Sequence, residues 1–185
     1  MNSMTKGTFQ FIIILILFPF ISCKKDNTVN PTSVQVYMKY KLDGVLQDYT
    51  GDVGSLVSTG TGVTASKDPV PNSSNKVYML WGQKSSEHVL TFNFPTDSLQ
   101  VGQYKFDHQI GFQSMCELKI VNSSVTHRYT LRFDRGDVMT TNITRYSNGS
   151  IDGTFSGRLT YYDFITYTSV NITEGEFKNV PIYYH

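Results

Sequence analysis

The chain has 185 residues, with 16 basic and 15 acidic side chains, a formal net charge of +1, an aromatic share of 14% and two cysteines. A balance this even excludes the basic stripe that a nucleic-acid surface needs, so no nucleic-acid partner is expected. Two cysteines are too few for a disulfide scaffold.

The first ten residues carry one cation, Lys6, and no acid, and Phe11 to Ile21 is an almost unbroken apolar run that closes in Phe20-Ile21-Ser22-Cys23. That run is too short to span a hydrocarbon core of roughly 30 Å, which takes about 20 apolar residues. It has instead the n-region, h-region and small residue of a cleaved signal. This segment resembles bacterial lipoprotein precursors, although Phe20 stands where Leu is commonest. The resemblance implies that residues 1–22 are a signal peptide and that Cys23 is acylated with palmitate-type chains before cleavage. Two or three such chains hold a protein on a bilayer, where one is marginal.

Residues 23–33, polar and aperiodic around Asn30-Pro31, read as the lipidated cysteine and its tether. Removing the signal leaves about 160 residues, the length of one ordinary domain, here 34–185.

From Val34 the hydrophobic period is 2. Val34, Val36, Met38, Tyr40 and Leu42 alternate with polar or amphipathic neighbours, and Asp43-Gly44 supplies a hairpin turn into Val45 to Tyr49. Gly51 to Asn75 is irregular and rich in Gly, Ser and Thr. A structureless loop of that length is uncommon, so a short strand is expected within Leu56 to Val63, with a mobile functional loop as the alternative.

Further strands are expected at Val77 to Trp81, His88 to Phe94, Gln103 to Phe106, Met115 to Val121 and Arg128 to Phe133. After the Asp134-Arg135-Gly136-Asp137 turn come Val138 to Tyr146 and, across the Asn148-Gly149 turn, Ile151 to Tyr162, then Thr166 to Thr173 and Phe177 to Tyr183. No segment of the mature chain keeps a 3.6-residue period over three turns, and β-branched and aromatic residues dominate. The fold class is all-β, an antiparallel β-sandwich or flattened barrel of about ten strands.

Three segments carry a family resemblance. They are the opening hairpin at Asp43-Gly44, the run Leu99-Gln100-Val101-Gly102-Gln103-Tyr104, and the ending Ile151-Asp152-Gly153-Thr154-Phe155-Ser156-Gly157 with Ile172-Thr173-Glu174-Gly175-Glu176-Phe177 and Val180-Pro181. On these the chain resembles small uncharacterised lipoproteins of Bacteroidota, a domain of unknown function with a β-sandwich-like fold. The resemblance implies an outer-membrane, cell-envelope location and names no catalytic residue. The family's Trp after the Asp-Gly turn is missing here; Leu46 or Tyr49 stands near its place. Gly153 and Gly157 read as points of bulging or close backbone approach, and Gly175 as a turn.

Cys116 alternates with Leu118 and Ile120 and reads as a small core residue. The four histidines have no ligand spacing, so neither a metal nor another cofactor is expected. Glu117, Asp163, Glu174 and Glu176 are the carboxylates from which a glycosidase pair could be drawn, although solvated strand and turn charges explain them as well. Arg135-Gly136-Asp137 matches an integrin-binding tripeptide at an exposed hairpin tip, where turn chemistry also accounts for it. Asp97-Ser98-Leu99 resembles the O-glycosylation acceptor of Bacteroidota, which would make Ser98 the modified residue.

Exposed rings on a sheet can stack on sugars or pack on a partner. Trp81 and Tyr162 are the candidate contact aromatics, among Tyr37, Tyr78, Tyr183 and Tyr184 on the same alternation. The reading is a non-enzymatic module held on the bilayer through Cys23 that binds an envelope protein or a glycan. An envelope glycan hydrolase and a purely structural envelope component are the alternatives, and the periplasmic and cell-surface faces of the outer membrane are both open.

Overall fold

A computed structural model describes residues 34–51, 61–69, 76–85, 87–94, 96, 98–106 and 116–184. The signal, Cys23 and the tether lie outside the described residues, as do most of the Gly51–Asn75 segment and His108, His185 and Asp97.

Asp43 and Gly44 both take positive φ, 46° and 83°, which is the twist a two-residue hairpin demands. They join β1 (Tyr37–Leu42) to β2 (Val45–Thr50) in an unbroken antiparallel register. Met38 and Tyr40 point inward from β1 and Tyr49 from β2. Tyr49 thus fills the hairpin's core position, while Leu46 is exposed.

The chain continues through β3 (Gly62–Pro69), β4 (Lys76–Ser85), β5 (His88–Phe94), β6 (Gly102–Phe106), β7 (Cys116–Asn122), β8 (Val125–Thr130), β9 (Met139–Ser147), β10 (Ser150–Tyr162) and β11 (Tyr167–Tyr184). All described elements except one short 3-10 turn are strands, so the fold is all-β.

The strands form one sheet in the order β2-β1-β11-β3-β4-β5-β7-β8-β10-β9-β6, with a further pairing of β10 to β11. That pairing closes a ring through β3, β4, β5, β7 and β8, the last joined to β10 at Thr130 and Thr160. Two branches leave the ring, β1-β2 from β11 and β9-β6 from β10. Ladders are antiparallel apart from the contact of Ile182–Tyr184 with β3. The interior is a cluster of rings, including Tyr40, Tyr49, Phe92, Phe94, Phe106, Phe155 and Phe177. The hydroxyls of Tyr40 and Tyr49 bond each other at 2.7 Å, so neither polar tip is stranded in the core.

Several sequence expectations need correction. Of the segment Leu56 to Val63, where a short strand is expected, residues 56–60 lie outside the described residues, and Gly62 and Val63 open β3, which runs on to Pro69. The strand expected to reach Phe133 ends at Thr130, and Phe133–Arg135 is a 3-10 turn closed by Gly136 at φ 70°. The two strands expected after Tyr162 are one, β11.

Gly175 is therefore inside a strand and not in a turn. What breaks the pattern is bulging: β11 gains an extra residue against β10 between Ile172 and Gly175 and again between Phe177 and Val180. Glu174 and Asn179, at φ 52° and 54°, sit in those two irregularities. Gly153 and Gly157 do mark close approach, since a Cβ at Gly153 would lie 2.5 Å from the Asn142 carbonyl oxygen and one at Gly157 2.7 Å from Met139 Cα.

Candidate functional site

Outward-facing side chains of β6, β9, β10 and β11 build a groove of about 830 Å³. Its middle row follows from register alone. Gln103 pairs Asn142, Asn142 pairs Thr154, and Thr154 pairs Glu176, so an amide, an amide, a hydroxyl and a carboxylate cross four strands in line. Thr140 and Ser156 form the adjacent row. Small side chains on β10 keep the floor low, while Gln103 on one side and Glu174 and Glu176 on the other raise the walls.

The bulge at Glu174 turns this carboxylate to the outer face, where Lys41 Nζ meets it at 2.8 Å. The Tyr37 phenol lies beside Glu176, and its pKa is raised first by burial and then by that carboxylate. The two glutamates that the sequence singled out thus share one groove, each with a polar neighbour. The other two carboxylates lie elsewhere. Glu117 is paired with Arg128 on the β7–β8 ladder, and Asp163 binds its own turn.

The neighbouring bulge at Asn179 is pinned from β10. Asp152 accepts the Asn179 amide at 2.6 Å and both arms of Arg145 at 2.7 Å. Burial works to raise the Asp152 pKa, but the Arg145 and Asn179 hydrogen bonds outweigh it and hold the carboxyl below its ordinary range. The charges here fix strand geometry and leave the groove itself to amides, hydroxyls and the two glutamates.

Trp81 is not a surface ring: it is 4% exposed, because β3 and the centre of β4 are buried on both faces. Tyr78 is buried as well, which removes both from the contact aromatics. Tyr162 is half-exposed at 38%, yet its ring stacks on Tyr167 at 4.5 Å and 19°, with Phe164 beside it. The Arg135 guanidinium lies 3.8 Å from the centre of Tyr167, and Arg132 sits near both tyrosines. One face of Tyr162 is covered by Tyr167, whose own ring carries Arg135, so Tyr162 belongs to an apolar tip.

The Arg135-Gly136-Asp137 tripeptide is not displayed. Asp137 is 1% exposed and accepts hydrogen bonds from Arg158 Nε at 2.6 Å and the Arg132 amide at 3.1 Å. Ser98 is exposed, with Leu99 buried next to it, and its amide and carbonyl bond the Thr96 hydroxyl. Cys116 is fully buried among core residues, and burial pushes its thiol pKa well up. Among the described residues no three His, Cys, Asp or Glu side chains converge as metal ligands.

Of the groove, sequence reading found Glu174 and Glu176 and missed Gln103, Thr140, Asn142, Thr154 and Ser156. Outward parity in their strands was legible; their assembly into one row was not. No family model, curated protein or solved structure matches this chain.

Proposed function

We propose that this chain is a lipid-anchored lipoprotein of the bacterial outer membrane that binds a glycan in the β6-β9-β10-β11 groove and does no chemistry on it. The observation that carries this is the groove's lining, in which side-chain amides, hydroxyls and carboxylates from four strands face one low-floored channel. Such groups donate to and accept from the hydroxyls of a sugar at fixed spacings, since the register of a sheet is rigid. Anchorage at Cys23 holds the module in the envelope, where glycans are concentrated.

The hydrolase reading draws on the same two glutamates. It is the weaker one because Lys41 already pairs with Glu174 and the Tyr37 phenol lies beside Glu176, whereas a catalytic pair needs one carboxyl free to give a proton and the other to attack or activate water.

A titration of the purified acylated protein with neutral tetrasaccharides of glucose, mannose and N-acetylglucosamine, followed by amide NMR and by chromatography, separates the readings. Shifts that map to Asn142 and Thr154, are lost in Thr154→Arg and come without product support the binding module. Cleavage abolished by Glu174→Gln or Glu176→Gln would establish the hydrolase. Silence with every sugar would leave the structural-component reading in possession. The anchor is checked separately: Cys23→Ala is expected to move the protein from the membrane to the soluble fraction.

A further inference from the structure

The middle row of the groove does not stop at β11. Glu176 pairs Lys39 on β1 and Lys39 pairs Asp48 on β2, so the line of Gln103, Asn142, Thr154 and Glu176 runs on into a cation and an anion. Lys39 is the side chain that register sets opposite Glu176, yet it turns toward β2: its Nζ meets Asp48 at 3.2 Å and lies 5.1 Å from the centre of the Tyr37 ring. Lys41, the other cation of β1, is held by Glu174 at 2.8 Å. Lys178, two residues further along β11, acts on the Asp152 carboxylate. Among the described residues no cation forms an ion pair with Glu176, and the Tyr37 phenol beside it is neutral.

We infer, resting on the glycan reading of this groove, that its ligand carries a free protonated amine on the sugar that lies at the β11 end: a hexosamine without its N-acetyl group. The other side chains of the groove's rows are amides and hydroxyls, and the charge of Glu174 is matched within the fold by Lys41. Glu176 thus supplies the one charge that the row leaves for a ligand to meet. An ammonium there gains both charge pairing and charge-assisted hydrogen bonds, whereas an acetamido group brings no charge. A uronic acid or a phosphorylated sugar would set like charges side by side, which costs affinity.

Register gives the amine its place. Neighbouring strands lie about 4.8 Å apart, roughly the length of one pyranose ring, so a saccharide laid across the strands sets one ring over each of β6, β9, β10 and β11. The first three rings meet Gln103, Asn142 and Thr154, which donate to or accept from hydroxyls, and the fourth meets Glu176. A single terminal amine therefore suffices, and it fixes the direction in which the chain of sugars lies.

The test is calorimetric titration of the purified acylated chain, at about pH 6 where the amine keeps its proton, with the tetramer of glucosamine and in parallel with the tetramer of N-acetylglucosamine. The expected result is at least about 5-fold tighter binding of the glucosamine tetramer, a preference that shrinks as salt is added and disappears in Glu176→Gln. That variant replaces an exposed carboxylate by its isostere, so a melting temperature equal to the parent's separates lost recognition from lost folding. Equal affinity for the two tetramers, or a preference that survives Glu176→Gln, would overturn the inference and leave the glycan groove standing. Trilysine bound as tightly as the glucosamine tetramer would overturn it as well, by showing a trap for any cation. Binding of neither tetramer would overturn it together with the glycan reading.

Discussion

Gly175 on β11 faces Phe155 on β10, and the volume its missing side chain leaves is taken by Phe155: a Cβ there would collide with the Phe155 carbonyl oxygen and lie 2.6 Å from the ring. This contact lets two long strands bulge and stay paired beneath the groove floor. Gly175→Ala must push either a backbone carbonyl or a core ring aside. We expect it to cost about 2–3 kcal/mol, in the range of overpacked cores, and to lower the melting temperature by about 5–10 °C. An unchanged midpoint in calorimetry would show that β10 and β11 separate freely at this point.

Arg158 and Asp137 are unequal partners. The Asp137 carboxylate is fully buried, while the Arg158 side chain is 41% exposed. Removing the aspartate frees an arginine that can turn to water; removing the arginine strands a buried charge. Urea unfolding should therefore rank Arg158→Ala as the more damaging change, with Asp137→Asn costing about 1–2 kcal/mol in lost charge-assisted bonds. The reverse order would mean that the 3-10 turn, and not the charge, sets the penalty.

His88 gives a pH dependence with a definite sign. Burial, and then Lys84, hold its pKa below the ordinary value, and its buried Nε2 has no hydrogen-bond partner among the described residues. The folded state thus keeps the ring neutral where the unfolded chain takes up a proton near pH 6.5. Its contribution is complete above that pH and is lost as pH falls through the lower folded pKa. Between pH 7 and 5 the parent should lose stability while His88→Phe stays flatter. Parallel curves for the two would exclude His88 as the source. Asp48, held low chiefly by its Thr50 hydrogen bond, acts further down, as pH falls below its unfolded range of about 4.

Cys116 should be chemically silent. Its thiol is buried and its pKa is raised by that burial, with Glu117 adding to it, so the reactive thiolate is scarce at neutral pH. Iodoacetamide at pH 8 is expected to leave the folded domain unmodified and to label Cys116 once urea unfolds it. Rapid labelling without denaturant would show that the β5–β7 region opens locally.

The strands themselves were largely legible. Period-2 alternation located β1, β2, β5, β7 and β9 to within a few residues, and Asp43-Gly44 and Asn148-Gly149 announced their hairpins because both residues of each pair take positive φ. The tip was legible and passed over: Phe164-Ile165, two apolar residues directly after Asp163, stand where a turn wants polar ones. The break between Thr173 and Phe177 was read as a turn because Gly flanked by charges has the same signature in a turn and in a bulged strand. Asp137 was read as exposed because Arg-Gly-Asp is good turn chemistry, and nothing local reveals an arginine arriving from β10.

By itself, then, the sequence determined the all-β class, the hairpin turns at Asp43-Gly44 and Asn148-Gly149 and the inward-facing residues of β1 and β7, because these follow from backbone geometry within a few residues. Tertiary structure alone decided which faces are covered twice, burying Trp81, and which outward residues fall into line, bringing Gln103, Asn142, Thr154 and Glu176 across four strands. The physical reason is that alternation distinguishes the two sides of a strand but carries no information about what another strand, distant in sequence, lays against either of them.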